Sequence, residues 1–431
     1  MRTAASRAGV EFIERPVTDP MNMRLYFILF CAFGMFASLS CKKASPTETI
    51  RTQRLPYPPV NLVVTGTSLD AVDLAWASVR NDAQGYVVLR KDSADWIELA
   101  SVDGITRSYH DSGLRCGATY FYTAYAFNDS GRSSNADSVL ATTKSESYTL
   151  VTGQSPNTLY GVAVGPTGTL VAVGGGGTIL QSNDNGSSWN AISSNTAYNL
   201  HAAAFSSIGD CIIVGDHATV LLLHQSQVSV ALHSSITHQL LGLSVTPKGT
   251  IFIVGQQGIV LRSRDNGSSW TRFTAGVNGT LSGVAFTTEL SGIVVTTDSH
   301  ILGTDDGGLS WNEQLNPVFA SLTGVVFSDP LNGIAYGSNV ILHTSNRGTA
   351  WVATEGIASQ VNGACFLSNR KGIAVGSRGI LYQTADGGMS WTHITVQSQP
   401  GLFAIHQENN GSDCVAVGFR GIVLLASFCS P

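Results

Sequence analysis

A chain of 431 residues exceeds one ordinary domain, and 46 glycines in a composition that is 43% hydrophobic suit an all-β protein with many tight turns. Only 12% of residues are charged and the formal net charge is -5, so no basic field exists to hold a phosphate backbone, which excludes nucleic acid as a partner. The seven cysteines form no C-x-x-C pair and the ten histidines fall at no metal-ligand spacing, so neither a metal nor a cofactor is expected.

At the amino end, Met23 and Arg24 precede an apolar run from Leu25 to Leu39. The run is too short for a comfortable transmembrane helix and right for a signal peptide, with Met21 and Met23 as alternative starts. It closes on Ser38-Leu39-Ser40-Cys41-Lys42-Lys43, which resembles a bacterial lipoprotein signal. That resemblance implies acylation of the Cys41 thiol and a lipid anchor in the membrane. Leu39 stands two residues before the cysteine, where such signals place leucine three before it, and cleavage by an ordinary signal peptidase near Ala37 to Ser40 is the alternative. Residues 1–41 are thus expected to export the protein to the bacterial cell envelope, as an outer-membrane lipoprotein that is periplasmic or surface-exposed. Residues 42–57, rich in Ser, Thr, Pro and Lys, are expected to be a tether.

Residues 58–143 carry short alternating runs, Val60-Leu62-Val64, Val72-Leu74-Trp76 and Tyr86-Val88-Arg90, the pattern of a β-sandwich with Trp76 as a buried anchor. The run Leu114 to Tyr122, followed by Ala126 to Ser133, resembles the tyrosine corner and later strands of fibronectin type III domains. The resemblance makes Tyr120 the corner tyrosine, with Cys116 where that family often has proline. No Arg-Gly-Asp loop is present, so the module is read as a spacer, against a binding role of its own.

From residue 147 to 431 one pattern recurs seven times. Its markers are Gly174, Gly215, Gly255, Gly337, Gly376 and Gly418, with Thr296 in the fourth place, roughly 40 residues apart. Each marker lies between apolar strands, as in Ile373-Ala374-Val375 and Ile380-Leu381-Tyr382, which predicts a hairpin in which glycine supplies the positive φ. A further strand precedes this hairpin and another follows it, so each repeat is a four-stranded blade that must pack on its neighbours around an axis. The expectation is an all-β chain, a seven-bladed β-propeller behind a fibronectin type III sandwich, with Ser147 to Thr152 completing blade seven.

Five turns between third and fourth strands fit S/T-x-D-x-G-x-x-W. They hold Asp184 and Trp189, Asp265 and Trp270, Asp306 and Trp311, Asn346 and Trp351, and Asp386 and Trp391. The third residue is expected to accept backbone N–H bonds and the tryptophan to bury its ring, a structural role on the rim. Blades two and seven have Leu223 and Ala426 in place of the first hydroxyl. These Asp boxes, or bacterial neuraminidase repeats, recur in sialidases, sortilin-type receptors, some xyloglucan hydrolases and photosystem II assembly and stability factors. Blade length, box density and the G-x-x-G-x-I hairpins most resemble the last family. That resemblance implies a chaperone-like or scaffolding role for a membrane complex, through protein binding without a cofactor.

No F/Y-R-I-P segment announces a sialidase, and the inner strands offer Tyr160, His201, Leu241, Ser282, Thr323, Asn362 and Phe403 to the channel without one acid. No catalytic residue is assigned, and the chain is read as a non-enzymatic, monomeric binder of a membrane-complex protein subunit or an extracellular glycan. A carbohydrate-binding or sialidase-like glycoside-hydrolysing propeller is the alternative. Candidate binding residues are Tyr160, His201 and Phe403 in the channel, with Arg378, Phe419 and Arg420 at hairpin tips of adjacent blades, where a basic spot would suit an acidic or aromatic group. The alternative is solvated tips that bind nothing. Cys414 and Cys429 bracket the last hairpin, which leaves two readings open: a disulfide between them, or two small buried residues in a packed blade.

Overall fold

The computed structural model describes residues 54–91, 95–232, 237–395, 400–409, 411 and 413–429. The expected export signal with Cys41 lies outside the described residues, as does most of the tether. No helix among the described residues is long and apolar enough to cross a membrane.

Residues 60–142 form two sheets. One holds Val60–Thr67, Ala71–Ala77 and Ser108–Ser112, and the other is built on Gly85–Lys91 and Thr119–Asn128. Strand alternation sends Val72, Leu74 and Trp76 from the first sheet, and Tyr86, Val88, Tyr120 and Tyr122 from the second, into one core. Tyr120 Oη accepts the Arg115 amide at 2.9 Å, which ties the strand to the chain five residues upstream. Asp111, buried in this core, is neutralised by Arg90 at 2.9 Å and accepts the Tyr122 hydroxyl at 2.7 Å, so its burial leaves it paired.

Among the described residues seven four-stranded antiparallel sheets follow. Their first strands are Leu159–Val164, Leu200–Phe205, Leu240–Val245, Leu281–Phe286, Leu322–Phe327, Val361–Phe366 and Leu402–Gln407. Each first strand contacts that of the next sheet, and the seventh contacts the first, so the sheets form a closed ring with these strands innermost. Most second strands, such as Ile251–Gly255 and Gly372–Gly376, are buried at every residue, because both faces of a sheet are covered by neighbours. The outermost strands are short and exposed, as with Asn312–Glu313 and Val352–Ala353.

The marker glycines do not supply the positive φ. Gly174, Gly255, Gly376 and Gly418 are extended, with φ between -152 and -171. They are glycines for lack of space: a Cβ there would collide with the carbonyl oxygen of Thr158, Gln239, Gln360 and Gly401, respectively. The left-handed turn falls later, on the second glycine of G-x-x-G, at φ 72 in Gly177 and 68 in Gly379 and Gly421.

The seventh sheet closes the ring with residues from both ends of the repeat region. Ser147–Val151 pairs antiparallel with Val423–Ser427, from Ser147 opposite Ser427 to Val151 opposite Val423. Of the two readings for Cys414 and Cys429, the disulfide between them is not formed. The last hairpin turns about Arg420, which puts Cys414 opposite Ala426 and leaves Cys429 beyond the paired strands. Cys429 is bonded instead to Cys116 of the sandwich, 313 residues away, and Cys414 is a buried free thiol. Beside this disulfide the buried Lys371 donates to the Cys429 carbonyl, while Glu146 lies 3.8 Å from its ammonium and accepts the Cys429 amide at 3.2 Å. Burial pulls the Lys371 pKa down, and Glu146 partly restores it.

Candidate binding site

The inner strands put Tyr160, His201, Leu241, Ser282, Thr323, Asn362 and Phe403 into the wall of one cavity of about 390 Å³ along the axis. The next residue on each strand is Gly or Ala, which lets neighbouring strands close up. A Cβ built on Gly283 would stand 2.7 Å from the Gly324 Cα. Part of the polar wall belongs to the frame. Ser282 Oγ donates to the Leu322 carbonyl at 2.7 Å and Asn362 Nδ2 to the Leu402 carbonyl at 2.8 Å, each bond joining two sheets.

That leaves an arc of three rings from adjacent sheets. The Tyr160 ring meets Phe403 edge-on at 5.9 Å and lies 5.7 Å from the His201 ring. His201 Nε2 is 2.7 Å from Asp216 Oδ1, and Gln239 Nε2 donates to the same oxygen at 2.8 Å. Burial opposes the charge on Asp216, but the bonds from His201, Gln239 and Asn199 prevail and hold the carboxyl below its ordinary value. An acid therefore does bond a residue of the channel wall, from a hairpin tip rather than from an inner strand. The tip bends inward because the Asp216 amide bonds the Asn199 carbonyl at 2.9 Å, next to the inner strand that carries His201.

The tips of the other sheets lean the same way. The tip with Arg378 touches the inner strand bearing Phe403, and the tip with Phe419 and Arg420 touches the inner strand bearing Tyr160. Both arginines are exposed and hold left-handed backbone, φ 61 and 54, where the first sheet has Gly176. A bulky residue in that conformation is uncommon. The Arg420 guanidinium sits 5.2 Å from the centroid of the Phe419 ring, which is 49% exposed. Arg378 and Arg420 thus flank different aromatic wall residues. A stack that the sequence did not suggest, Tyr198 on His217 at 4.2 Å and 14°, extends the aromatic surface beside His201.

The boxes occupy the opposite end of the sheets, where their polar atoms are engaged within the turn. Asp184 Oδ1 accepts the Ser182 hydroxyl and the Ser188 amide at 2.8 Å, Oδ2 accepts the Ser188 hydroxyl at 2.6 Å, and the Trp189 indole donates to the Gly186 carbonyl. Asp265, Asp306 and Asp386 repeat the pattern, and Asn346 accepts the Thr344 hydroxyl and the Ala350 amide. Hydrogen bonds from Ser310 hold Asp306 down at about 2. Trp351 and Trp391 donate to Gly348 and Gly388, whereas the Trp270 and Trp311 indoles are buried without a partner. Box glycines also lock neighbouring sheets: a Cβ on Gly308, Gly348 or Gly388 would press on Phe252, Ile293 or Ile334 of the preceding sheet, and one on Gly186 on Leu425 of the seventh. No cluster of metal-ligating side chains is present among the described residues.

The profile of a family described as photosynthesis system II assembly factor YCF48 matches residues 274–427, from the end of the third sheet to the last strand. Among solved structures the chain is similar to YCF48 bound to D1 peptide, with a TM-score of 0.56 and 15% identity over 66% of this chain and 95% of that one. YCF48 from Cyanidioschyzon merolae gives 0.54 and 16% over 64% and 98%, and the WD40 beta propeller domain of Doa1 gives 0.55 and 14% over 65% and 97%. At these identities the likeness is one of fold, a β-propeller. Among curated proteins, a poly(3-hydroxybutyrate) depolymerase of Ralstonia pickettii is 40% identical over 88 residues, 20% of this chain and 17% of that enzyme. The chain spans less than a fifth of that relative.

Proposed function

We propose that this protein is a non-catalytic binding or scaffold protein of the cell envelope, a seven-bladed Asp-box propeller that takes a peptide segment of a membrane-complex protein at its tip face. The arc Phe403–Tyr160–His201, open at one end of the channel and flanked by the Arg378 and Arg420 tips, is the observation that carries this reading. Aromatic faces beside guanidinium groups suit the apolar and carboxylate groups of a peptide. The profile match to an assembly factor and the likeness to a propeller bound to a peptide support a protein partner. The sandwich, a fibronectin type III spacer in this reading, supports an orientation. Its disulfide to Cys429 fastens it where the last strand ends, on the Asp-box side, so it is held at the end of the sheets opposite the tips.

Panning a random peptide library on the purified chain, beside a glycan array and a glycosidase screen, tests the proposal. Selected peptides that bind wild-type protein and lose at least about 1.4 kcal/mol, a tenfold weakening, on Tyr160→Ala or Arg420→Glu are expected. Sugar turnover, or peptide binding indifferent to both substitutions, overturns it.

A further inference from the structure

Two of the cysteines lie together in the seam between the sixth and seventh sheets. Cys365 is on the inner strand of the sixth sheet and Cys414 on the second strand of the seventh, and their sulfurs are 3.7 Å apart. Both belong to one apolar cluster with Ile373, Leu402 and Phe428. Their accessibility differs. Cys414 is enclosed, whereas Cys365 contributes to the wall of a cavity of about 440 Å³ that also includes Phe327, Ser368 and His406. We propose that Cys365 and Cys414 are a dithiol that oxidises to a second disulfide, joining the sixth sheet to the seventh.

The sulfurs need to close by about 1.7 Å to reach bonding distance, a displacement within the reach of side-chain rotation. An oxidant entering the cavity meets Cys365 first. With a diazene such as diamide, the Cys365 sulfur adds across the N=N bond, and the Cys414 sulfur then displaces the reduced reagent. Two S–H bonds are lost and one S–S bond forms, and the two electrons and two protons leave on the hydrazine. The Cys116–Cys429 bond is of a kind that persists in an oxidising compartment, and the same surroundings permit a second disulfide. The new bond would brace the closing sheet on its inner side, as Cys116–Cys429 does at its end. The competing description is a pair of inert buried thiols that merely pack.

Peptide mapping of the full chain without reduction, before and after diamide in native buffer, separates the two. After oxidation the expected result is a linked pair of peptides carrying Cys365 and Cys414, loss of both alkylated forms, and an unchanged Cys116–Cys429 link. In Cys414→Ser the diamide adduct should persist on Cys365, because nothing resolves it. Recovery of Cys365 and Cys414 as alkylated thiols from oxidised wild-type protein overturns the proposal, and so does a Cys414→Ser protein whose Cys365 takes no adduct. Peptide binding at the tip face enters neither readout, so this proposal and the functional one fail separately.

Discussion

Cys116 and Cys429 are joined across 313 residues, so the sandwich holds the end of the strand that closes the ring. The bond shortens the accessible unfolded ensemble and fixes Cys429 beside Lys371 and Glu146. Cys116→Ser should cost about 2–4 kcal/mol of stability. Thermal unfolding in the absence of reductant checks this, and an unchanged midpoint in the variant would show that the closing strand is held by its pairing alone.

The box carboxylates give the ring an acid-sensitive component. Hydrogen bonds from Ser310 and neighbouring turn groups hold Asp306 at about 2, and Asp184, Asp265 and Asp386 are also lowered. A carboxyl with a folded pKa below its unfolded value binds fewer protons when folded, so its stabilisation is full above the unfolded value and fades as pH falls. Stability should therefore drop between about pH 4 and pH 2. In a variant with all four aspartates changed to asparagine, the slope of denaturation midpoint against pH in that window should flatten. A slope equal to wild type would remove the boxes from the explanation.

The box of the fifth sheet shows what a weaker version lacks. Asn346 accepts the Thr344 hydroxyl and the Ala350 amide, but Ala350 has no hydroxyl to offer, unlike Ser188, Ser269, Ser310 and Ser390 in the aspartate boxes. The double substitution Asn346→Asp with Ala350→Ser should restore that bond and add about 1 kcal/mol, read as a rise in denaturant midpoint at unchanged slope.

Gly186 holds the closing seam from the other side. Its φ is 79, and a Cβ there would press on Leu425 of the seventh sheet. Gly186→Ala should cost about 2–4 kcal/mol through backbone strain and overpacking combined. The same change at Gly153, where the added carbon meets nothing, should cost only the strain. Equal losses in equilibrium unfolding would show that the seam contact is immaterial.

Much of this was legible in the sequence because strand alternation and a fixed repeat leave little freedom. The seven channel positions from Tyr160 to Phe403 follow from counting along equivalent strands, and one cavity contains them all. Contacts that depend on how turns bend were not legible. The bond of Asp216 to His201 requires the inward lean that the Asn199 carbonyl imposes on its tip. The Cys116–Cys429 pairing joins separate folding patterns, and no periodicity within either carries that information. Whether Cys414 pairs with Cys429 was left open by their positions about the last hairpin; the register centred on Arg420 decides it by setting Cys414 opposite Ala426.

Hydrogen–deuterium exchange of the full chain with and without a selected peptide tests most directly whether the tip face is the binding surface. Slowed exchange is expected at residues 198–201, 216–217, 378–379 and 419–421, with the box turns at 184–188 and 386–390 unaffected. Protection confined to the box turns, with the tips exchanging as in the free protein, would contradict it.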